Sequence, residues 1–219
     1  MNQISAAAFC RRVDHTLLKA VATEKDIEDL CQEASAHQFF AVCVNPFYVS
    51  LAKKNLQGTS VRIATVCNFP LGASSSLAAQ REAEVSLSEG ANEVDMVLNL
   101  GAFKSGRTKI VEQEIAALKK ICGDRVLKVI LEVSLLSADE IVSACRLADT
   151  AGADFVKTST GFSTGGASVE AVALMKKNFS RQVKASGGIR AWAQAKAMID
   201  AGADRLGLSA SVAILGEIS

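Results

Sequence analysis

Eight short apolar runs, rich in β-branched residues, recur along the 219 residues and are separated by amphipathic stretches with short linkers. Such alternation reads as repeated βα units, whose parallel strands are buried on both faces. The predicted strands cover residues 13–17, 39–44, 61–67, 93–98, 126–133, 155–158, 183–186 and 205–208. Between them, helices are predicted over 23–37, 46–55, 75–89, 109–121, 138–151, 169–178, 191–201 and 209–215. The first shows the logic: Thr23 is a candidate N-cap, and Ile27, Leu30 and Cys31 follow at i, i+3, i+4 spacing. Three helices end on one phrase that leads straight into a strand: Glu89-Gly90-Ala91-Asn92, Ala151-Gly152-Ala153-Asp154 and Ala201-Gly202-Ala203-Asp204. A glycine there suits a left-handed C-cap. Eight βα units predict a (β/α)8 TIM barrel, a single domain spanning residues 1–219. The alternative, an open doubly wound sheet, would carry a Gly-rich dinucleotide turn after its first strand; Asp14-His15-Thr16-Leu17-Leu18-Lys19 has none.

Composition narrows the partners. Apolar residues make up 49% of the chain and aromatics only 5%, which suits aliphatic layers between strands and helices. The 24 Lys and Arg nearly cancel the 23 Asp and Glu, so no general excess of charge draws nucleic acid or an anionic membrane, and an anionic ligand must be held locally. Six dispersed cysteines form no C-x-x-C pair and read as buried thiols in a reducing compartment. The apolar stretch at residues 6–10 is too short for a signal peptide, and no run reaches membrane-spanning length. A soluble cytoplasmic protein is expected, with a homodimer as a possible assembly.

In a barrel the chemistry sits at the C-terminal ends of the strands, so polar residues inside otherwise apolar strands are the candidates. They are Asp95 on the fourth strand, Lys157 on the sixth and Lys184 on the seventh. A lysine buried at a strand end loses hydration, and a second lysine beside it disfavours protonation further, which would leave Lys157 as a neutral amine able to form a Schiff base. The alternative is that both lysines extend to the rim and Asp95 merely pairs with one of them. Gly187 and Gly188 after the seventh strand, with Gly207 and Ser209 after the eighth, fall where such barrels hold phosphate on backbone N–H groups; they would equally serve tight turns. Asp14 and Thr16 could orient a substrate hydroxyl or cap a turn. Cys43 reads more readily as packing than as a nucleophile. With only His15 and His37, far apart in sequence, a histidine-based metal site or serine relay has little material, and no cofactor is expected.

The segments Val156-Lys157-Thr158-Ser159-Thr160-Gly161-Phe162, Val183-Lys184-Ala185-Ser186-Gly187-Gly188-Ile189-Arg190 and Glu93-Val94-Asp95-Met96-Val97-Leu98-Asn99 resemble the deoxyribose-phosphate aldolase family. Asp14 to Lys19, Cys43-Val44-Asn45-Pro46, Phe69-Pro70-Leu71-Gly72 and Lys104-Ser105-Gly106 are similar to it as well. The resemblance implies a metal-free class I aldolase interconverting 2-deoxy-D-ribose 5-phosphate with D-glyceraldehyde 3-phosphate and acetaldehyde. It assigns the imine to Lys157, and acid/base work to Asp95 and Lys184. Substrate contacts are expected from Asp14, Thr16, Cys43, Thr158, Gly187, Gly188, Gly207 and Ser209. Leu208 departs from the hydroxyl residue common there, which would remove a contact to phosphate, and Phe162 stands where some members carry another lysine.

Overall fold

The computed structural model describes residues 4–218. Eight parallel strands close into a barrel in chain order: β1 (Val13–Leu17), β2 (Ala41–Val44), β3 (Arg62–Cys67), β4 (Glu93–Val97), β5 (Val126–Ile130), β6 (Phe155–Lys157), β7 (Gln182–Ser186) and β8 (Arg205–Leu208). β8 returns to β1 with Val13 opposite Leu206 and His15 opposite Leu208. The helices are α1 (Ala6–Cys10), α2 (Glu24–Ala36), α3 (Val49–Asn55), α4 (Ser76–Glu89), α5 (Leu100–Lys104), α6 (Thr108–Cys122), α7 (Ala138–Thr150), α8 (Val169–Asn178), α9 (Trp192–Asp200) and α10 (Ser211–Gly216). This is the expected (β/α)8 architecture; residues 1–3 and 219 of the expected span lie outside the described residues. None of the described helices is long and apolar enough to cross a membrane.

The helices form where sequence pattern and capping agree. Thr23 does cap α2, closing a capping box with Asp26, and Ser137 does the same for α7 with Glu140. α6 buries Val111, Ile115, Leu118 and Cys122 along one stripe, of which the three aliphatic side chains each contribute about 1.5–3 kcal/mol by leaving water. Some boundaries differ from the pattern. β5 stops at Ile130 instead of running to Val133, because Glu132 is held in the left-handed region (φ 56°) and its carboxylate accepts the Thr160 N–H at 3.2 Å and the Thr160 hydroxyl. The stretch 46–55 divides into a 3₁₀ turn, Pro46–Tyr48, followed by α3, and α10 begins at Ser211 instead of 209. α1 and α5, each five residues, were too short for periodicity to register.

The recurring Gly-Ala-Asn/Asp phrase proves to be a clasp. Gly90, Gly152 and Gly202 all turn the chain with positive φ (126°, 85° and 108°). The residue two positions on then bonds the preceding strand in both directions. Asn92 N–H donates to the Ile63 carbonyl (2.7 Å) while its side-chain oxygen accepts the Ile63 N–H (2.9 Å). Asp154 does the same with Leu127 (2.9 and 2.8 Å), and Asp204 with Val183 (2.8 and 2.9 Å). Lys119 and Lys176 reach over from the preceding helices to the same carboxylates at 2.7 and 2.8 Å. The clasps therefore join β3 to β4, β5 to β6 and β7 to β8 at their N-terminal ends, and so help to set the register that aligns the opposite ends.

Asp154→Ala should leave the buried Leu127 N–H without an acceptor, at a cost of about 1–3 kcal/mol. For a chain of this length that corresponds to a Tm lowered by roughly 2–12 °C in thermal unfolding, with Asp154→Asn much closer to wild type. An alanine variant that unfolds at the wild-type temperature would remove the clasp's stabilising role.

Candidate active site

Alternation along the strands decides what faces the barrel axis. One parity presents Val94, Met96, Leu127, Val129, Val156, Val183 and Leu206 to the helices, where they join the main apolar core. The other carries Glu93 and Asp95 on β4, Lys128 on β5, Lys157 on β6, Lys184 on β7, Arg205 on β8 and Asp14 on β1. All are nearly or fully buried; Lys157 is 2% exposed and Lys184 0%. Rim-extended lysines are thereby excluded. On β2 and β3 the inward set is apolar instead, with Cys43, Ala64 and Val66 packing against Leu18 and Phe69.

Strand pairing brings the charges into contact. Lys157 lies opposite Lys184, Asp95 opposite Lys128, and Lys184 opposite Arg205. Asp95 is the hub: one carboxylate oxygen accepts from both Lys157 (2.9 Å) and Lys184 (2.8 Å), and the other from Lys128 (2.6 Å). Lys184 also donates to Asp14 (2.5 Å), Lys128 pairs with Glu93 (2.6 Å), and Arg205 bridges Asp14 (2.8 Å) and Glu93 (3.4 Å). Lys128, Lys184 and Arg205 thus stand against Asp14, Glu93 and Asp95, three of each sign. Arg62, half-exposed at the start of β3, brings a further cation to 3.9 Å from Glu93.

The titration behaviour follows these contacts. Burial pushes Lys184 down, but Asp14 and Asp95 outweigh it and hold the ammonium above the ordinary lysine value. Lys128 is likewise held up, by Asp95 and Glu93 against burial. Lys157 goes the other way: burial lowers it, the nearby Lys184 ammonium adds to that, and the single contact with Asp95 does not compensate. Burial pushes Asp95 up, yet Lys128, Lys157 and Lys184 together keep it well below the usual carboxylate range. Chemically, the arrangement offers a lysine that gives up its proton more readily than an ordinary one, so that its amine can add to a carbonyl, next to a carboxylate and an ammonium able to move protons.

Above the amine opens a cleft of about 360 Å³ at the C-terminal ends of the strands. Of the sequence candidates, Lys157, Thr16, Gly187, Gly188, Gly207 and Ser209 line it. Asp95, Lys184 and Asp14 lie beneath, in the charged layer. Cys43 is fully buried in the apolar quarter of the interior, where burial raises its thiol pKa. Thr158 faces away from the cleft: its hydroxyl donates to the Ser186 carbonyl and accepts the Ser186 N–H, both at 2.9 Å, fastening β6 to β7. Thr16 donates to the Asp14 carbonyl at 2.8 Å. Gly207 is required by a close approach, since a Cβ there would stand 2.9 Å from the Ser186 Cβ and 3.0 Å from the Lys184 Cε. Leu208 points into the main core and not into the cleft, so the expected loss of a contact does not arise from its side chain. Lys19, Arg190 and Phe162 are also part of the cleft wall, the last stacked edge-on against Phe69 at 5.2 Å. Among the described residues no cluster of His, Cys, Asp and Glu forms a metal site.

Sequence reasoning missed Lys128, Arg205 and Glu132. The signal for Lys128 was present, a lone charge between Leu127 and Val129 in an apolar run. Arg205 and Glu93 begin their strands and read as boundary residues.

A DeoC/LacD family aldolase model matches residues 5–215 of this chain. The chain belongs to that family of aldolases, and it is a lyase. It is 53% identical over 205 residues to the deoxyribose-phosphate aldolase of Brevibacillus brevis, covering 93% of both chains. It is 51% identical to deoxyribose-phosphate aldolase 1 of Vibrio vulnificus, covering 93% of this chain and 94% of that one. Among solved structures, the tetrameric deoxyribose phosphate aldolase of Aeropyrum pernix superposes with a TM-score of 0.89 at 33% identity, over 97% of this chain and 91% of that one.

The contacts fix the sign of a pH effect. Imine formation needs the neutral amine, whose fraction falls about tenfold per pH unit below the pKa. In Lys184→Met a cation that lowers Lys157 is gone, and an Asp95 oxygen is freed to hold the Lys157 ammonium. Both changes raise the Lys157 pKa. The rate of borohydride trapping of an aldehyde on Lys157 should therefore rise at higher pH in the variant than in wild type; an unmoved profile would mean that Lys184 does not perturb Lys157.

Proposed function

We propose that the protein is a class I aldolase that reversibly cleaves 2-deoxy-D-ribose 5-phosphate to D-glyceraldehyde 3-phosphate and acetaldehyde through an imine on Lys157. The observation that carries this reading is the Lys157 amine itself. Of the buried lysines Lys128, Lys157 and Lys184, it is the one that lines the cleft, and it has one carboxylate contact where each of the others has at least two.

In the open-chain sugar the amine adds to C1 and water leaves, giving a protonated imine. That group draws the electrons of the C2–C3 bond toward nitrogen while the C3 hydroxyl gives up its proton, so the bond breaks to an aldehyde and an enamine. Asp95, ionised in its lysine cage, is suited to accept a proton directly or through water, and the Lys184 ammonium on the same oxygen is suited to return one to the enamine carbon. Hydrolysis then frees acetaldehyde and restores the amine. The apolar quarter formed by Leu18, Cys43, Ala64, Val66 and Phe69 suits a donor that is small and mostly hydrocarbon. At the other end, Gly187, Gly188, Gly207 and Ser209 offer backbone and hydroxyl donors to phosphate, with Lys19 and Arg190 supplying charge at the mouth. α10 has only six residues, so these loop donors matter more than a helix dipole. All six cysteines are free and buried, which supports a reducing, cytoplasmic setting.

Incubation with acetaldehyde and borohydride should attach one ethyl group to the protein, detected by mass, and Lys157→Ala should abolish both adduct and turnover. An adduct that persists in that variant would move the imine elsewhere. Asp95→Asn should still trap aldehyde while turnover falls by about 10²–10⁴-fold, the usual scale of lost proton transfer.

A further inference from the structure

His15 takes no part in the reaction above, yet it is 4% exposed and bonded at both ring nitrogens. It lies between Asp14 and Thr16 on β1, so its ring points outward, away from the charged layer and toward α2 and α10. Nε2 is 2.7 Å from a Glu33 carboxylate oxygen on α2, and Nδ1 is 2.9 Å from the Ser211 hydroxyl at the start of α10. The ring rests against Phe39 with centroids 5.2 Å apart. With the carboxylate drawing a proton onto Nε2, Nδ1 of the neutral ring is an acceptor, and the single Ser211 hydroxyl proton is shared between Nδ1 and the Leu208 carbonyl. Ser211 Oγ is also 3.1 Å from the Leu208 carbonyl oxygen, and Leu208 is the residue paired with His15 across β1 and β8.

This row of Glu33, His15 and Ser211 has the residue types of a nucleophilic relay but not its placement. Ser211 is fully buried and does not line the cleft. What the row controls is position. Only Ser209 and Ala210 separate Leu208 from Ser211, and Ser209 lines the cleft. α10 has no side-chain cap on its first turn, its N-cap being Ala210, so its start is fixed from outside the helix. We propose that His15 is a positioning residue for the phosphate end of the cleft: through Ser211 and the Leu208 carbonyl it holds the two-residue loop that presents Ser209. The inference rests on the phosphate reading given above.

The test compares 2-deoxyribose 5-phosphate with unphosphorylated 2-deoxyribose in wild type, His15→Phe and Ser211→Ala. His15→Phe keeps a ring against Phe39 and removes both nitrogens. Ser211→Ala removes one oxygen and decides the matter if the first variant does not fold. In either variant KM for the phosphorylated sugar should rise about tenfold with kcat within about twofold, as for one lost hydrogen bond in binding, while kcat/KM for the unphosphorylated sugar stays at wild type. Glu33→Gln, which retains an acceptor for Nε2–H, should stay near wild type on both. Parallel losses on both sugars, or full phosphate preference in both variants, would overturn the proposal while leaving the phosphate reading in place. A wild type indifferent to the phosphate would remove that reading and this proposal together, with the imine on Lys157 still judged by trapping.

Discussion

One carboxylate, Asp95, shut away from water, holds three lysine side chains at once, and the interior of the barrel is arranged around it. Removing a charge from water costs several kcal/mol even after relaxation, so a layer of seven ionisable groups is tolerable only if each meets a partner at hydrogen-bond distance. Parallel pairing supplies that condition, because it sets inward residues of adjacent strands side by side. The buried lysines are then told apart by the number of their partners. Lys128 and Lys184 are each pinned between carboxylates and stay charged; Lys157, with one partner and an open face, is the group on which the layer can least well keep a proton.

The same layer explains why the interior is divided. β4 to β8 and β1 bring charge to the axis, whereas β2 and β3 bring Cys43, Ala64 and Val66. The amine therefore stands on a boundary between a polar wall that can exchange protons and an apolar wall that cannot. A reaction whose electrons flow toward nitrogen, with protons moved on one side only, suits such a boundary.

Much of this was legible in the sequence, for identifiable reasons. Strand and helix order followed from periodicity. Lys157, Lys184 and Asp95 stood out as charges within apolar strands, while the pattern alone left the two lysines equally able to extend to the rim. What escaped depended on contacts between distant segments. The early end of β5 follows from Glu132 meeting Thr160, a residue 28 positions away that no local pattern connects to it. Thr158 and Lys157 are neighbours in sequence, and only the observed strand parity puts one toward β7 and the other under the cleft. His15 read as an isolated histidine because its partners lie 18 and 196 positions off.

The three clasps lie at the end of the barrel that carries no chemistry. Like the hoop around the foot of a cask, they hold the staves where nothing is poured, and the rim is relieved of that duty. Loops above β6, β7 and β8 can accordingly vary in length and shape while the amine beneath stays seated, since its height along the axis is set from below.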